Sequence, residues 1–256
     1  SSFERASFGG GLRLSYEIAD KVSQSWNYEI SQDEVTDIDL GASLAIKEQE
    51  GTSVKSLIGQ ALFYDSLDSR VDPSEGFLAR YNIDLAGLGG DVKFVRNNVK
   101  AIKYFPISDQ VTLSIKGSAG LIIGIGQDTR IIDRFFLGGA NLRGFTNSGV
   151  GPRDTVTDDA VGGRWVYGGS LQTTFPMGLP NELGIRGHVF GDIGSLGSSD
   201  TDAGTIKDTK SLRAAMGVGI TWKSPMGPIV IDMSTPLLKE DFDETESLRF
   251  DFGARF

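Results

Sequence analysis

Apolar and polar residues alternate with a period of two along most of this 256-residue chain. Between Leu212 and Trp222, for example, every second residue is apolar, and the residues between them are small, hydroxyl-bearing or charged. Successive side chains of a β-strand point to opposite sides, so this alternation is typical of a strand with one apolar face. The pattern recurs to the end of the chain and predicts an all-β protein.

Eleven segments carry the pattern, with boundaries good to about two to four residues. The predicted strands are 5–18, 23–32, 54–66, 76–88, 91–105, 110–125, 163–175, 183–194, 210–222, 228–237 and 247–256. Short turns and long polar loops alternate between them, the long loops being 33–53, 127–162, 195–209 and 238–246. Bacterial outer-membrane barrels have short periplasmic turns and longer outside loops. This asymmetry places the C-terminus on the periplasmic side and the longest loop outside.

The length of the strands decides between a membrane barrel and a soluble β-sandwich, since both alternate. The run from Val111 to Ile125 is far longer than the roughly five to six residues of an average soluble strand, and membrane-spanning strands need about nine to eleven. Aromatic residues near predicted strand ends, such as Trp165 and Trp222, resemble an interfacial girdle. We therefore predict a transmembrane antiparallel β-barrel whose lumen is lined by small and charged side chains.

Composition excludes several functional classes. The chain has no Cys, one His and a net charge of −9, which argues against disulfides, thiol chemistry and nucleic acid as a partner. His188 has no nucleophile motif beside it, so we expect a lumen histidine, no catalytic residues and no enzyme activity. Asp154, Asp158 and Asp159 fit no recognised calcium loop and are interpreted as a solvated acidic segment. No metal and no cofactor is expected.

The loop 127–162 contains the best candidate for a functional site, because loops of this length are uncommon in compact proteins unless they are functional. Its glycines permit positive φ angles and close backbone approach, so an arginine can be carried on a tight tip. The predicted tip consists of Leu142, Arg143, Gly144 and Phe145. Supporting loop residues are Gly138, Gly139, Gly151, Pro152 and Arg153.

Several motifs in this order resemble the BamA family of outer-membrane assembly factors, within the POTRA-barrel superfamily. They are Phe136-Leu137-Gly138-Gly139, Leu142-Arg143-Gly144-Phe145, Gly151-Pro152-Arg153, Asp159-Ala160-Val161-Gly162-Gly163, Ser224-Pro225-Met226-Gly227-Pro228 and the aromatic C-terminus. The resemblance covers most of the chain and implies a sixteen-stranded barrel behind periplasmic POTRA repeats. Residues 1–256 would then be one barrel domain holding about eleven of sixteen strands, with the first strands and the POTRA repeats absent.

The resemblance also implies that the long loop folds back into the lumen and docks its tip on the inner wall. Alternation independently places Phe190 and Asp192 on the lumen side of the strand 183–194. Arg143 is then expected to pair with Asp192 and stack over Phe190. Family members often carry a Glu where this chain has Gln172, which still accepts a hydrogen bond but without charge. The alternative is that Asp192 pairs with another lumen cation, such as Arg186.

The function implied by the resemblance is insertion and folding of β-barrel proteins in the bacterial outer membrane, without covalent catalysis. The implied partners are unfolded outer-membrane β-barrel proteins, assembly-machinery lipoproteins and outer-membrane lipids. A weak seam at the last strand would template incoming strands, and its residues are Phe250, Phe252, Gly253 and Phe256. Alternatives are a two-partner secretion barrel, a TamA-like translocation barrel or a passive porin.

Overall fold

The computed structural model of the chain describes residues 4–39, 41–200, 204–224 and 227–253. The strands in chain order are β1 Glu4–Ala19, β2 Val22–Thr36, β3 Gly51–Asp65, β4 Gly76–Gly90, β5 Phe94–Ser108, β6 Val111–Gly124, β7 Arg153–Asp154, β8 Trp165–Pro176, β9 Ile185–Gly197, β10 Ile206–Lys207, β11 Arg213–Ser224, β12 Gly227–Leu238 and β13 Leu248–Phe252. The helical elements are α1 Leu44–Lys47 and the 3-10 turns Ile131–Asp133, Gly139–Asn141 and Asn181–Leu183. Within these residues, no helix is long and apolar enough to cross a membrane.

Eleven of the strands form one antiparallel sheet in the order β1-β2-β3-β4-β5-β6-β8-β9-β11-β12-β13. Every strand pairs with its neighbours in sequence, and β1 and β13 are the two edges; β7 and β10 pair only with each other. All eleven predicted strands are present, so the prediction of an all-β antiparallel fold is confirmed.

The predicted boundaries agree with the structure within the expected margin of about two to four residues, and the largest differences lie in the first long loop and at the last strand. The loop predicted at 33–53 is shorter, because β2 continues to Thr36 and β3 begins at Gly51. The end of β2 is polar, but Arg5 donates to the buried carboxylate of Asp33 at 2.7 Å, so a charged strand end is stabilised inside the lumen. The last strand, predicted to reach residue 256, ends at Phe252, and residues 254–256 of that prediction lie outside the described part of the chain.

The two faces of the sheet differ as the alternation predicts. Large apolar side chains on one face are exposed, as at Phe8, Leu12, Val218 and Met233. The opposite face carries the buried polar groups, including Asp232, which is fully buried. An exposed apolar band opposite a polar interior is the arrangement of strands that face lipid outside and a lumen inside.

The sheet curls around a lumen, as contacts between distant strands demonstrate. Asp72, in the turn between β3 and β4, forms an ion pair with Lys223 on β11 and lies 3.9 Å from Arg186 on β9. These strands are several positions apart in the sheet, so only a curved sheet brings them together. A cavity of about 210 Å³ lies between this turn and Arg143.

The connection between β6 and β8, residues 125–164 and called the lumen loop below, fills part of the interior. Its side chains pack on the inner wall in two apolar clusters. One contains Leu137, Leu142, Phe145, Val150, Leu196 and Ala215, and the other places Phe135 against Leu57, Ala86, Val92, Phe94 and Ile122. The lumen loop therefore has a packed core of its own, shared with the wall.

Candidate functional site

The tip of the lumen loop is a tight turn closed by its own backbone. The Gly139 amide donates to the carbonyl oxygens of Phe145 at 2.9 Å and Thr146 at 3.1 Å. Gly138 has φ 131°, and a Cβ there would lie 2.1 Å from the Thr146 oxygen. Only glycine fits such a left-handed position with backbone so near. The supporting glycines therefore fix the direction in which Arg143 leaves the turn.

The residues flanking Arg143 anchor the tip by apolar packing. Leu142 and Phe145 are both fully buried, and both belong to the cluster that includes Ala215 of β11 and Leu196 of β9. Fully burying a side chain of this size contributes roughly 1.5–3 kcal/mol relative to exposure. Two such anchors therefore hold the backbone of the tip against the wall, independently of the arginine.

Arg143 is buried and makes a charge-assisted contact with Asp192. Its Nε donates to Asp192 Oδ2 at 2.7 Å, and its Nη2 donates to Asp192 Oδ1 at 2.8 Å. The backbone amide of Arg143 also donates to Oδ2 at 3.1 Å. Paired parallel hydrogen bonds of this kind are the strong form of an arginine–carboxylate contact. The structure thus places Arg143 on Asp192, and not Arg186.

Three further side chains complete the seat of the guanidinium. Nη1 donates to Gln172 Oε1 at 2.8 Å, and Nη2 donates to Ser170 Oγ at 3.0 Å. The guanidinium carbon lies 3.3 Å from the centroid of the Phe190 ring. Stacking on the ring leaves the donors in the guanidinium plane free to bond sideways. Gln172, Phe190 and Asp192 therefore all meet Arg143; the sequence did not single out Ser170.

The register of β8 and β9 explains why these side chains converge. Ser170 lies opposite Asp192, and Gln172 lies opposite Phe190. Directly opposed side chains on one face of an antiparallel pair are about 4.5–5.5 Å apart at Cβ. These four side chains, two from each strand, therefore lie together on the lumen face and surround a space of the size of one guanidinium.

A second carboxylate, that of Asp232, lies near the guanidinium of Arg143. Asp232 of β12 lies 3.7 Å from Nη1 of Arg143, and its Oδ1 is 2.6 Å from His188 Nε2. Gly219 of β11 is the cross-strand partner of both His188 and Asp232. A Cβ at Gly219 would lie 2.3 Å from the carboxylate and 2.5 Å from the imidazole. Because Gly219 has no side chain, His188 of β9 and Asp232 of β12 can contact each other over β11. Asp232 in turn connects His188 to the site of Arg143.

Arg153 makes a separate buried junction above the tip. Its Nη1 donates to the Asp158 carbonyl oxygen at 2.6 Å and to Glu244 Oε1 at 2.6 Å, and its Nη2 donates to the Ser148 carbonyl oxygen at 3.1 Å. The carbonyl oxygen of the neighbouring Pro152 accepts from the Val161 amide at 3.0 Å. Arg153 therefore ties the two limbs of the loop together and joins them to the β12–β13 connection.

The acidic segment beside it is not simply solvated, which corrects the sequence interpretation. Asp154 is buried, and its carboxylate accepts from the Val156 amide at 2.9 Å and the Thr205 hydroxyl at 3.0 Å. Asp159 accepts from the Ser43 amide at 2.8 Å. These carboxylates hold local backbone, a role that residue spacing does not reveal. In the part of the chain that is described, no group of three acidic or histidine side chains is arranged to hold a metal ion.

The opposite limb of the lumen loop is anchored on the β2–β3 wall. Lys55 Nζ lies 3.2 Å from Asp133 in the loop and 3.7 Å from Asp33 on β2. Arg134 follows, with its Nη2 donating to the Thr129 carbonyl oxygen at 2.7 Å, and burial lowers the pKa of its guanidinium. The loop therefore bridges the lumen from β2–β3 to β9–β12.

The turn between β3 and β4 is organised by Asp68. Its carboxylate accepts from the Ser74 hydroxyl at 2.5 Å and from the amides of Ser69, Ser74 and Glu75. The Ser74 hydroxyl, followed by these backbone amides, lowers the pKa of Asp68. This turn carries Asp72, so its order determines the contact across the lumen to β9 and β11.

The predicted seam residues lie at the opposite edge from β1. Phe250 and Phe252 point outward from β13 and are exposed. Gly253 follows the strand rather than softening it from within: it has φ 99°, and its amide donates to the Pro228 carbonyl oxygen at 2.8 Å. Phe256 lies outside the described residues. Glu244 and Asp232, which the sequence did not single out as partners of the loop, are the functional candidates that only the tertiary structure reveals.

Comparison with known proteins gives a consistent family. The Omp85 superfamily domain matches residues 1–256. The chain is 34% identical to the outer membrane protein assembly factor BamA of Neorickettsia risticii over 99% of this chain, and 27% identical to that of Nitratidesulfovibrio vulgaris over 98%. It spans about a third of the length of these relatives, 34% and 32%.

A solved structure shares the fold. The barrel of BamA from Haemophilus ducreyi, in a form lacking POTRA domains 1-3, superposes with a TM-score of 0.84 at 20% sequence identity. The match covers 97% of this chain and 54% of that chain. The chain therefore has the fold of a known β-barrel protein, and the family model that matches residues 1–256 shows that it belongs to the Omp85 superfamily.

Proposed function

We propose that this chain is the membrane-embedded barrel part of a factor that inserts and folds β-barrel proteins in the bacterial outer membrane. It acts without covalent catalysis, as a folding surface rather than an enzyme. Its clients are unfolded outer-membrane β-barrel proteins, and it works beside assembly lipoproteins and outer-membrane lipids. The eleven strands form the C-terminal part of a larger barrel, preceded by further strands and by POTRA repeats.

The observation that carries the proposal is the buried seat of Arg143. Five hydrogen bonds and a ring contact fix one loop residue to β8 and β9. Such a seat keeps the lumen loop on β8 and β9, and the same loop also pairs with the connection that leads into the short edge strand β13. The free edge of β13 pairs with no described strand, so its backbone groups can pair with an incoming strand. The names of the relatives support the same activity.

A passive porin fits the geometry less well. The lumen loop crosses from Lys55 on β3 to Asp192 on β9, and it is packed on both walls. A pore that relies on lumen charge as a filter needs an open path past those charges. Secretion or translocation barrels with a docked loop remain the alternative, and client range separates them from an assembly factor.

The test uses the full-length protein in liposomes. A urea-unfolded outer-membrane β-barrel protein is added, and its folding is followed by the heat-modifiable shift in gel mobility. We expect faster folding than in protein-free liposomes for at least two unrelated clients. Absence of acceleration together with large ion conductance would assign a pore, and acceleration of a single dedicated partner would assign a secretion barrel.

A further inference from the structure

The connection between β12 and β13, residues 239–247, is anchored to the barrel wall on one side. Arg213 of β11 donates from Nε to Asp243 Oδ2 at 2.9 Å and from Nη2 to Asp243 Oδ1 at 3.1 Å. Both side chains are buried, so this pair is shielded from water. Ser211 adds a hydrogen bond from its hydroxyl to Glu240. The connection is therefore fixed to β11 before it turns towards β13.

The next residues pair with the lumen loop through their backbone. The Thr146 amide donates to the Glu244 carbonyl oxygen at 3.0 Å, and the Glu244 amide donates to the Gly149 carbonyl oxygen at 2.9 Å. The Glu246 amide donates to the Gly144 carbonyl oxygen at 3.1 Å. Between these bonds an antiparallel bridge joins the two segments. The lumen loop and the connection thus pair with each other like two short antiparallel strands.

Side chains reinforce the same contact. Glu244 accepts from the Thr146 hydroxyl at 3.0 Å and from Arg153 at 2.6 Å. Arg249, the second residue of β13, donates to Asn147 Oδ1 at 2.9 Å. The chain segment from Glu244 to Arg249 is therefore held by the loop up to and into the last strand.

β13 itself is held to β12 by a short ladder, with one backbone hydrogen bond beyond each end, from the Ser234 amide to the Ser247 carbonyl oxygen and from the Gly253 amide to the Pro228 carbonyl oxygen. Its register with β12 covers five residue pairs, from Met233–Leu248 to Ile229–Phe252, and its other edge pairs with no described strand. Three backbone hydrogen bonds to the loop are a large addition to so short a ladder. The position of β13 consequently depends on the loop as well as on β12.

We propose that residues 244–249 are a latch, through which the lumen loop sets the position of the last strand. When the latch is closed, the N-terminal end of β13 is held by the lumen loop. When the pairing with residues 144–149 opens, β13 separates from β12 more readily. This inference rests on the proposed function, because strand movement at β13 matters where clients pair with that edge. Glu244 and Arg249 are positioning residues, since they act through β13.

One test locks the latch reversibly in the full-length protein. Thr146→Cys and Glu244→Cys replace two opposed side chains already in contact, and this chain has no cysteine of its own. Oxidation is expected to slow client folding at least about fivefold relative to the reduced form, because a disulfide holds the two segments together more firmly than the roughly one net hydrogen bond that it replaces. Equal rates in the two redox states would overturn the latch.

A second test opens the latch and needs no client. Gly149→Ala places a Cβ 2.5 Å from the Glu244 carbonyl oxygen, whereas Gly204→Ala, the matched control, meets nothing within 4 Å. Amide hydrogen exchange in residues 248–252 is expected to quicken at least about fivefold in Gly149→Ala only. If exchange in Gly149→Ala is the same as in the wild type, the latch is refuted, even when the wild type accelerates client folding relative to protein-free liposomes. Quickened exchange without any client folding would instead refute the proposed function.

Discussion

Removing the carboxylate of Asp192 is expected to release the lumen loop. In Asp192→Ala, Arg143 loses two charge-assisted hydrogen bonds of 2.7 and 2.8 Å and one backbone contact. The guanidinium stays buried, with Gln172, Ser170 and the more distant Asp232 as partners. Keeping a cation buried without its main counter-ion costs free energy. The docked state of the loop should therefore become less stable relative to the undocked state.

The size of the effect follows from this geometry. Breaking a buried ion pair by removing one partner costs about 3–5 kcal/mol. Because Asp232 remains 3.7 Å away, the lower end applies. About 3 kcal/mol corresponds to a little more than a hundredfold rise in the undocked population. The apolar anchors Leu142 and Phe145 are unaffected, so the barrel itself should still fold.

Protease sensitivity of the lumen loop measures the undocked population. Full-length protein in liposomes is digested from outside, and cleavage within residues 125–164 is compared between variants. Asp84→Ala is the matched control, because Asp84 is also a lumen carboxylate that accepts from an arginine, Arg96, but lies far from the tip. Cleavage of Asp192→Ala as slow as that of the wild type and the control would refute the docking argument.

Two further predictions concern the supports of the site. Gly151→Ala should lower barrel stability by about 2 kcal/mol or more, because a Cβ at φ 111° would lie 2.2 Å from Leu196; unchanged thermal unfolding on gels would contradict it. Asp68→Ala should speed trypsin cleavage after Arg70 at least about threefold by removing the hydrogen bonds of its turn. Since the folded pKa of Asp68 is lowered, its stabilisation is present at neutral pH and lost on acidification, so the wild-type turn should become pepsin-sensitive only below about pH 3.9. Sensitivity at higher pH would contradict this.

Alternation along the strands was enough to predict the fold and half of the site. Side-chain parity alone assigned Phe190 and Asp192 to the lumen, because the period of a strand is two whatever its partners are. Gln172 was predicted from the family resemblance, because family members often carry a Glu at that position. Arg143 was predicted from its glycine-rich loop and from the family resemblance, since neither charge nor hydropathy distinguishes it from other loop arginines.

The other half depends on register, which a single sequence does not specify. Ser170 meets Arg143 because it lies opposite Asp192, and His188 meets Asp232 because both flank Gly219. A shift of one strand by two residues would keep every face and lose each of these contacts. Glu244 was missed for a related reason, as pairing between two irregular loops leaves no periodic signal.

The measurement that tests the central claim most directly is the folding rate of an unfolded outer-membrane β-barrel protein in liposomes with full-length wild type or Arg143→Ala. The substitution leaves the carboxylates of Asp192 and Asp232 buried without their shared cation, so the loop should lose its seat. The account predicts acceleration by the wild type and a loss of about tenfold or more of that acceleration in Arg143→Ala. Equal acceleration by both proteins would contradict the claim that docking of Arg143 supports assembly.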